Sequence, residues 1–156
     1  MNKQVVLDQI IAILASELSA LTRAANGAFA AATDPDSKAE NKYDTRSLEA
    51  SYVARGQAQR VVELQEALHV VKSMSGEALP PSSAIGIGAL VSLTTPEGSA
   101  HYLIAASAGG TEVRVDGHDL YVITPASPLG QRLQGLHMGD RLTLRPGTEA
   151  IVQSVS

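Results

Sequence analysis

Apolar residues in the first part of the chain recur at alternating steps of four and three: Leu7, Ile11, Leu14, Leu18, Leu21, Ala25, Ala28 and Ala32. A second run keeps the same alternation through Tyr43, Ser47, Ala50, Ala54, Gln57, Val61, Leu64, Leu68 and Val71. Steps of this kind hold side chains on one stripe of a helix, so the pattern predicts two long helices, over about 3–32 and 37–75, each with a coiled-coil seam. The first seam begins bulky and ends in alanines; the second begins small, apart from Tyr43, and ends bulky. Only antiparallel pairing sets small against small and large against large without leaving voids. Each arm would be roughly 45 Å long, at about 1.5 Å per residue. Gly27 is a poor helix former inside the first run, at about 1 kcal/mol relative to alanine. Val6, Ile10 and Ile13 form a second apolar stripe near the base of the first helix. A two-helix hairpin cannot bury both stripes, so the base is expected to pack on the rest of the chain.

Between the runs stands Asp34-Pro35-Asp36-Ser37-Lys38-Ala39-Glu40-Asn41-Lys42-Tyr43. Pro35 interrupts a helix, and Ser37 and Glu40 have the spacing of a capping box, in which each side chain satisfies a free backbone N–H. The stretch is expected to be the tip of the hairpin. Gly76 is expected to cap the second helix, and 77–84, with Pro80-Pro81, reads as a short stiff linker.

After the linker the period changes to two and β-branched residues take over. Strands are expected at 85–94, 100–106, 112–115, 120–123, 141–144 and 150–155. Turn residues separate them: Thr95-Pro96-Glu97-Gly98, Gly109-Gly110, Asp116-Gly117 and Pro146-Gly147. Ser127-Pro128-Leu129-Gly130-Gln131-Arg132-Leu133 reads as one short helix with Ser127 as N-cap and Leu129 and Leu133 facing the sheet. The fold class is thus α+β: a coiled-coil hairpin over 1–76, a linker over 77–84, and a small bent antiparallel sheet with one short helix over 85–156.

Composition narrows the function. A net charge of −4 gives no global attraction to nucleic acid or anionic lipid, and the absence of cysteine removes disulfides and thiolate metal sites. With no leader pattern and no apolar run of membrane-spanning length, the expectation is a soluble, cytoplasmic protein without a membrane partner. His69, His101, His118 and His137 are scattered without metal-ligand spacing and read as ordinary surface or partly buried histidines. No nucleophile elbow and no nucleophilic cysteine is present, and Gly86-Ile87-Gly88 lacks the third glycine of a dinucleotide fingerprint. The chain is therefore expected to have no catalytic residues of its own. What remains is the acidic tip: Asp36 and Glu40, with Asp34 and Asp44 nearby, offer oxygens of the kind that suit Mg²⁺. They are too few to hold a metal alone and could complete a site that another protein has half built. The alternative is that Glu40 is only the capping acid and Asp36 only a turn former.

This arrangement resembles the bacterial transcript-cleavage factors GreA and GreB. Their tip reads Gly-Asp-x-Ser-Glu-Asn-x-x-Tyr; this chain has Asp36, Glu40-Asn41 and Tyr43 in that place. The segment 122–135, with Ser127-Pro128-Leu129, followed by Gly139-Asp140 and a strand, is similar to the corresponding segment of that family. The resemblance implies an FKBP-like second domain that sits on RNA polymerase through residues such as Ser127, Pro128, Leu129, Gly139 and Asp140. It also implies a hairpin that enters the secondary channel. There Asp36 and Glu40 would help hold a Mg²⁺ shared with the polymerase and promote cleavage of backtracked RNA, meeting the RNA 3′ end only indirectly and making no sequence-specific DNA contact. The tip departs from the family: Asp36 and Glu40 are four apart where the family has three, and Asn41 is two before Tyr43 where the family has three. A factor that occupies the channel without promoting cleavage therefore stands beside the cleavage factor. A rival of another class is a structural or adaptor protein that self-associates through Val6, Ile10 and Ile13.

Overall fold

The described residues of the computed structural model are 1–32 and 45–156, the side chains of 28–32 and 45–51 excepted. Helix α1 spans Lys3–Ala32 and helix α2 spans Thr45–Ser73. Asn2 starts α1: its side-chain oxygen accepts from the backbone N–H of Gln4 at 2.9 Å, satisfying a donor that has no partner inside the helix. The tip stretch, including Asp36, Glu40, Asn41 and Tyr43, lies outside the described residues.

Six strands follow: β1 Leu90–Thr95, β2 Gly98–Ile104, β3 Glu112–Val115, β4 His118–Ile123, β5 Arg141–Arg145 and β6 Thr148–Val155, with helix α3, Pro128–Leu133, between β4 and β5. They form one sheet in the order β3-β4-β2-β1-β6-β5. The β3–β4 hairpin turns at Asp116 and Gly117, both with positive φ, as a two-residue turn that matches strand twist requires. One pairing departs from the antiparallel expectation: β2 and β4 run parallel, with Tyr102 opposite Tyr121. The chain leaves β2, forms β3 at the sheet's edge, and folds back inward as β4.

The sheet has an apolar layer on each face. Leu90, Leu103, Val113, Val115, Leu120 and Val122 share a core with Val6, Leu7, Ile10, Leu14, Leu64, Leu68 and Val71 of the hairpin. Val91, Leu93, Ile104, Leu142, Ala150, Val152 and Leu133 of α3 form the second core. Leu133 is fully buried, Leu129 packs beside it and Gln131 is exposed, the helix phase the sequence predicts. Val6 and Ile10 are likewise inaccessible, so that stripe is taken up by the chain's own sheet. Each such side chain contributes about 1.5–3 kcal/mol relative to exposure. Self-association through this stripe is thereby excluded for Val6 and Ile10, while Ile13 remains exposed.

Four expectations need correction. The first strand begins at Leu90 rather than residue 85, because a turn containing Gly88, with φ of 92°, occupies the interval. Helix α2 ends at Ser73, and Gly76 does not carry a left-handed cap. The end of the exposed Gln4 side chain lies where a Cβ on Gly76 would stand, a contact that a flexible glutamine can vacate. Ala54 is exposed although it holds a seam position, because two backbones meeting over alanines leave the stripe open to water at its sides. Finally, the segment Lys3–Gly27 is long and apolar enough by composition to cross a membrane. Val6, Leu7, Ile10 and Leu14 of that segment are buried in the hairpin–sheet core instead.

Candidate functional site

The hairpin and the sheet are held as one piece at the base. Besides the shared core, the Lys3 ammonium, on a largely buried side chain, donates to the carbonyl of Glu77 at 2.9 Å. This contact fastens the first turn of α1 to the linker, and burial pushes the Lys3 pKa down. Farther along, Arg60 donates to Glu17 at 2.8 Å across the two helices and lies 3.6 Å from Glu63. The Glu17 hydrogen bond holds the Arg60 guanidinium firmly in its charged form. The arm is therefore a projecting lever fixed at one end. At about 1.5 Å per residue, α1 extends roughly 45 Å, which is the length the sequence implies.

On the opposite face of the sheet, the Ser127-Pro128-Leu129 segment is built as its sequence demands. The Ser127 hydroxyl donates to the carbonyl of Thr124 at 2.7 Å and accepts from the N–H of Gly130 at 3.1 Å. Pro128 occupies the first turn, where its missing N–H costs nothing. Gly130 must be glycine, because a Cβ would collide with the carbonyl of Thr124. Arg132 donates to the carbonyls of Thr143 and Leu144, tying α3 to β5. In the 135–140 turn, Asp140 accepts from the N–H of His137 at 2.8 Å, and Gly139, with φ of 94°, donates to the carbonyl of Val152 at 2.8 Å.

Of the five residues the resemblance offers for docking, Ser127 and Asp140 thus have their side chains engaged in local hydrogen bonds, and Gly139 serves the turn. Pro128 is exposed and Leu129 half-buried. Two exposed apolar side chains that sequence reasoning did not single out lie on neighbouring loops: Ile87, 61% accessible, and Met138, 53% accessible. The backbone joins these loops, the N–H of Ile85 donating to the carbonyl of Leu136 at 2.8 Å and that of Gly135 to Ile85 at 2.9 Å. Their signal in the sequence is a lone large apolar residue beside glycine, in Gly86-Ile87-Gly88 and Met138-Gly139, where a strand or helix pattern has no use for it.

The histidines also need revision. His101 and His118 are far apart in sequence, yet their ring centroids stand 5.1 Å apart in an edge-on arrangement. His101 Nδ1 is 2.9 Å from Ser92 Oγ. Burial, then the nearby His118 and the chain's α-amino group, push the His101 pKa down. Among the described residues no three His, Asp or Glu side chains converge as a metal site.

No family model matches the chain. No curated protein matches it. Solved structures do. The crystal structure of Gfh1 from Thermus aquaticus is 20% identical over 91% of this chain and 90% of that one, with a TM-score of 0.39. A structure of the transcription factor Gfh1 is 19% identical over 94% and 93%, with a TM-score of 0.37. The crystal structure of GreA factor homolog 1 (Gfh1) of Thermus thermophilus is 17% identical over 94% of each chain, with a TM-score of 0.39.

Proposed function

We propose that this chain is a Gre-like transcription factor that acts in the cytoplasm on RNA polymerase. Its FKBP-like sheet domain seats at the mouth of the secondary channel and its hairpin enters the channel. The observation that carries this reading is the fixed base. A long two-helix arm is locked to the sheet through Val6 and Ile10, so wherever the sheet domain seats, the base of helices α1 and α2 is held with it. Residues 33–44 lie between those two helices in the sequence. That stretch holds Asp36, Glu40, Asn41 and Tyr43, the residues that resemble the family's tip. The chain brings no catalytic group of its own; Asp36 and Glu40 would act in trans, on a Mg²⁺ shared with the polymerase. Exposed Ile87 and Met138, on neighbouring loops, are the apolar side chains offered to the polymerase surface.

The spacing of the tip acids favours one version of this function. Two carboxylates that share a metal must be placed to within about 0.5 Å, and here one extra residue separates Asp36 from Glu40 relative to the family. Channel occupancy without stimulated cleavage is therefore the preferred reading, and stimulated cleavage the alternative.

Core RNA polymerase mixed with the protein at micromolar concentration should co-elute with it on a sizing column, and Met138→Asp should weaken the complex. Absence of co-elution removes the whole reading. A stalled elongation complex then separates the two versions: occupancy predicts slowed elongation with no increase in RNA cleavage. Cleavage that rises on addition of the protein and disappears with Glu40→Ala would establish the alternative.

A further inference from the structure

Among the described residues, Nε2 of His101 is the buried side-chain nitrogen or oxygen that has no hydrogen-bond partner. An orphaned polar atom of this kind costs stability, so its persistence calls for a reason. The other ring nitrogen, Nδ1, is paired with Ser92 Oγ at 2.9 Å. Strand pairing brings His118 to the same place. In the parallel β2–β4 pair His101 stands opposite Leu120, and His118, two residues before Leu120, shares its face of the sheet.

In the tautomer whose Nδ1–H donates to Ser92 Oγ, Nε2 carries a bare lone pair. That is the arrangement of metal-bound imidazoles, where the outer N–H is held by a neighbour and the inner nitrogen is left for the ion. The ring separation agrees. Two imidazoles on one tetrahedral ion, each with a metal–nitrogen bond of about 2.1 Å, place their ring centroids about 5 Å apart. The observed separation is 5.1 Å.

We propose that His101 and His118 form a two-imidazole site for a divalent transition cation, Zn²⁺, Ni²⁺ or Cu²⁺, with water completing the coordination shell. Imidazole nitrogen selects these ions over Mg²⁺ and Ca²⁺, which require oxygen ligands that this face does not gather. Exposed His118 provides the open side through which ion and water enter. Ser92 is a positioning residue: it fixes the tautomer and orientation of His101 and does not touch the ion. The site is independent of the polymerase reading.

The test is calorimetric titration of the metal-free protein with Zn²⁺, together with ¹⁵N NMR of the histidine rings. The metal-free protein should show His101 as the Nδ1–H tautomer, and one Zn²⁺ should bind per chain. His118→Gln should weaken binding about tenfold or more without altering the fold, because that side chain is exposed. Ser92→Ala should weaken binding less and shift the His101 tautomer. Replacing His69 and His137 together with glutamine should leave binding unchanged. An Nε2–H tautomer in the metal-free protein would leave no lone pair on that nitrogen, and would overturn the site. Zn²⁺ affinity unaffected by His118→Gln would overturn it as well.

Discussion

Near the base of the hairpin the seam residues Leu7, Leu14, Leu64, Leu68 and Val71 are buried. Along the outer half Leu18, Leu21, Ala25, Gln57 and Val61 hold equivalent seam positions and remain half-exposed, and Ala54 is exposed. The same four-three repeat runs through both halves. What differs is the third surface: the sheet covers the base with Leu90, Leu103, Leu120 and Val122, while the outer seam positions are left only partly covered. Two helices alone shield one side of each seam residue, so a repeat by itself does not make a core. The outer half adds a surface ion pair, Arg60–Glu17, between side chains that are about half-exposed.

This contrast can be broken by substitution. Ile10→Ala should have the largest effect, a loss of about 2–5 kcal/mol in urea unfolding, because Ile10 is fully buried between helix and sheet. Leu21→Ala should cost no more than about 1.5 kcal/mol, since a half-exposed leucine contributes a smaller transfer term and leaves little cavity. Equal losses from the two substitutions would show that the sheet adds nothing to the seam. Arg60→Ala should cost roughly 0.2–1 kcal/mol, and the difference from the parent should shrink in 1 M salt.

The smallest effect should be a pH slope belonging to the sheet beside the base. The folded-state pKa of His101 lies below its ordinary value of 6.5, so the unfolded chain binds the proton more readily. The stability this group contributes is complete above about pH 6.5 and declines as pH falls through the folded value. The groups that bear on it are His118 and the α-amino group. In His101→Gln the part of the acid slope just below that pH should flatten, measured by urea midpoints at successive pH values; an unchanged slope would assign it to the carboxylates alone.

Much of this architecture was legible because helix and strand periodicities are local. The spacing from Leu7 to Ala32 is enough to predict α1, and the Ser127-Pro128 pair is enough to place and phase α3. What was not legible depends on contacts between distant residues. Nothing near Tyr102 or Tyr121 states that their strands run parallel, because that follows from where the β3–β4 hairpin folds back. Gly76 has the sequence position of a helix cap, yet α2 ends at Ser73 and Gly76 does not take the left-handed backbone of one. The His101–His118 pair was hidden for the same reason, although each lies two residues before a buried leucine, Leu103 and Leu120, on one sheet face. The tip acids were the most readable chemical feature of the chain and lie outside the described residues.

The pairing of β1 with β6 also orders events during biosynthesis. Val91 stands opposite Val155, so the centre of the sheet joins one strand to another made about sixty residues later. The hairpin sequence leaves the ribosome long before that pairing can form. At about 5–20 residues per second, Ile10 waits on the order of ten seconds before Val155 has been made. Throughout that interval the stripe that will dock on the sheet is an uncovered apolar surface on a nascent chain. A chaperone that binds such stripes would meet this protein at its first helix and be displaced only when β6 completes the sheet.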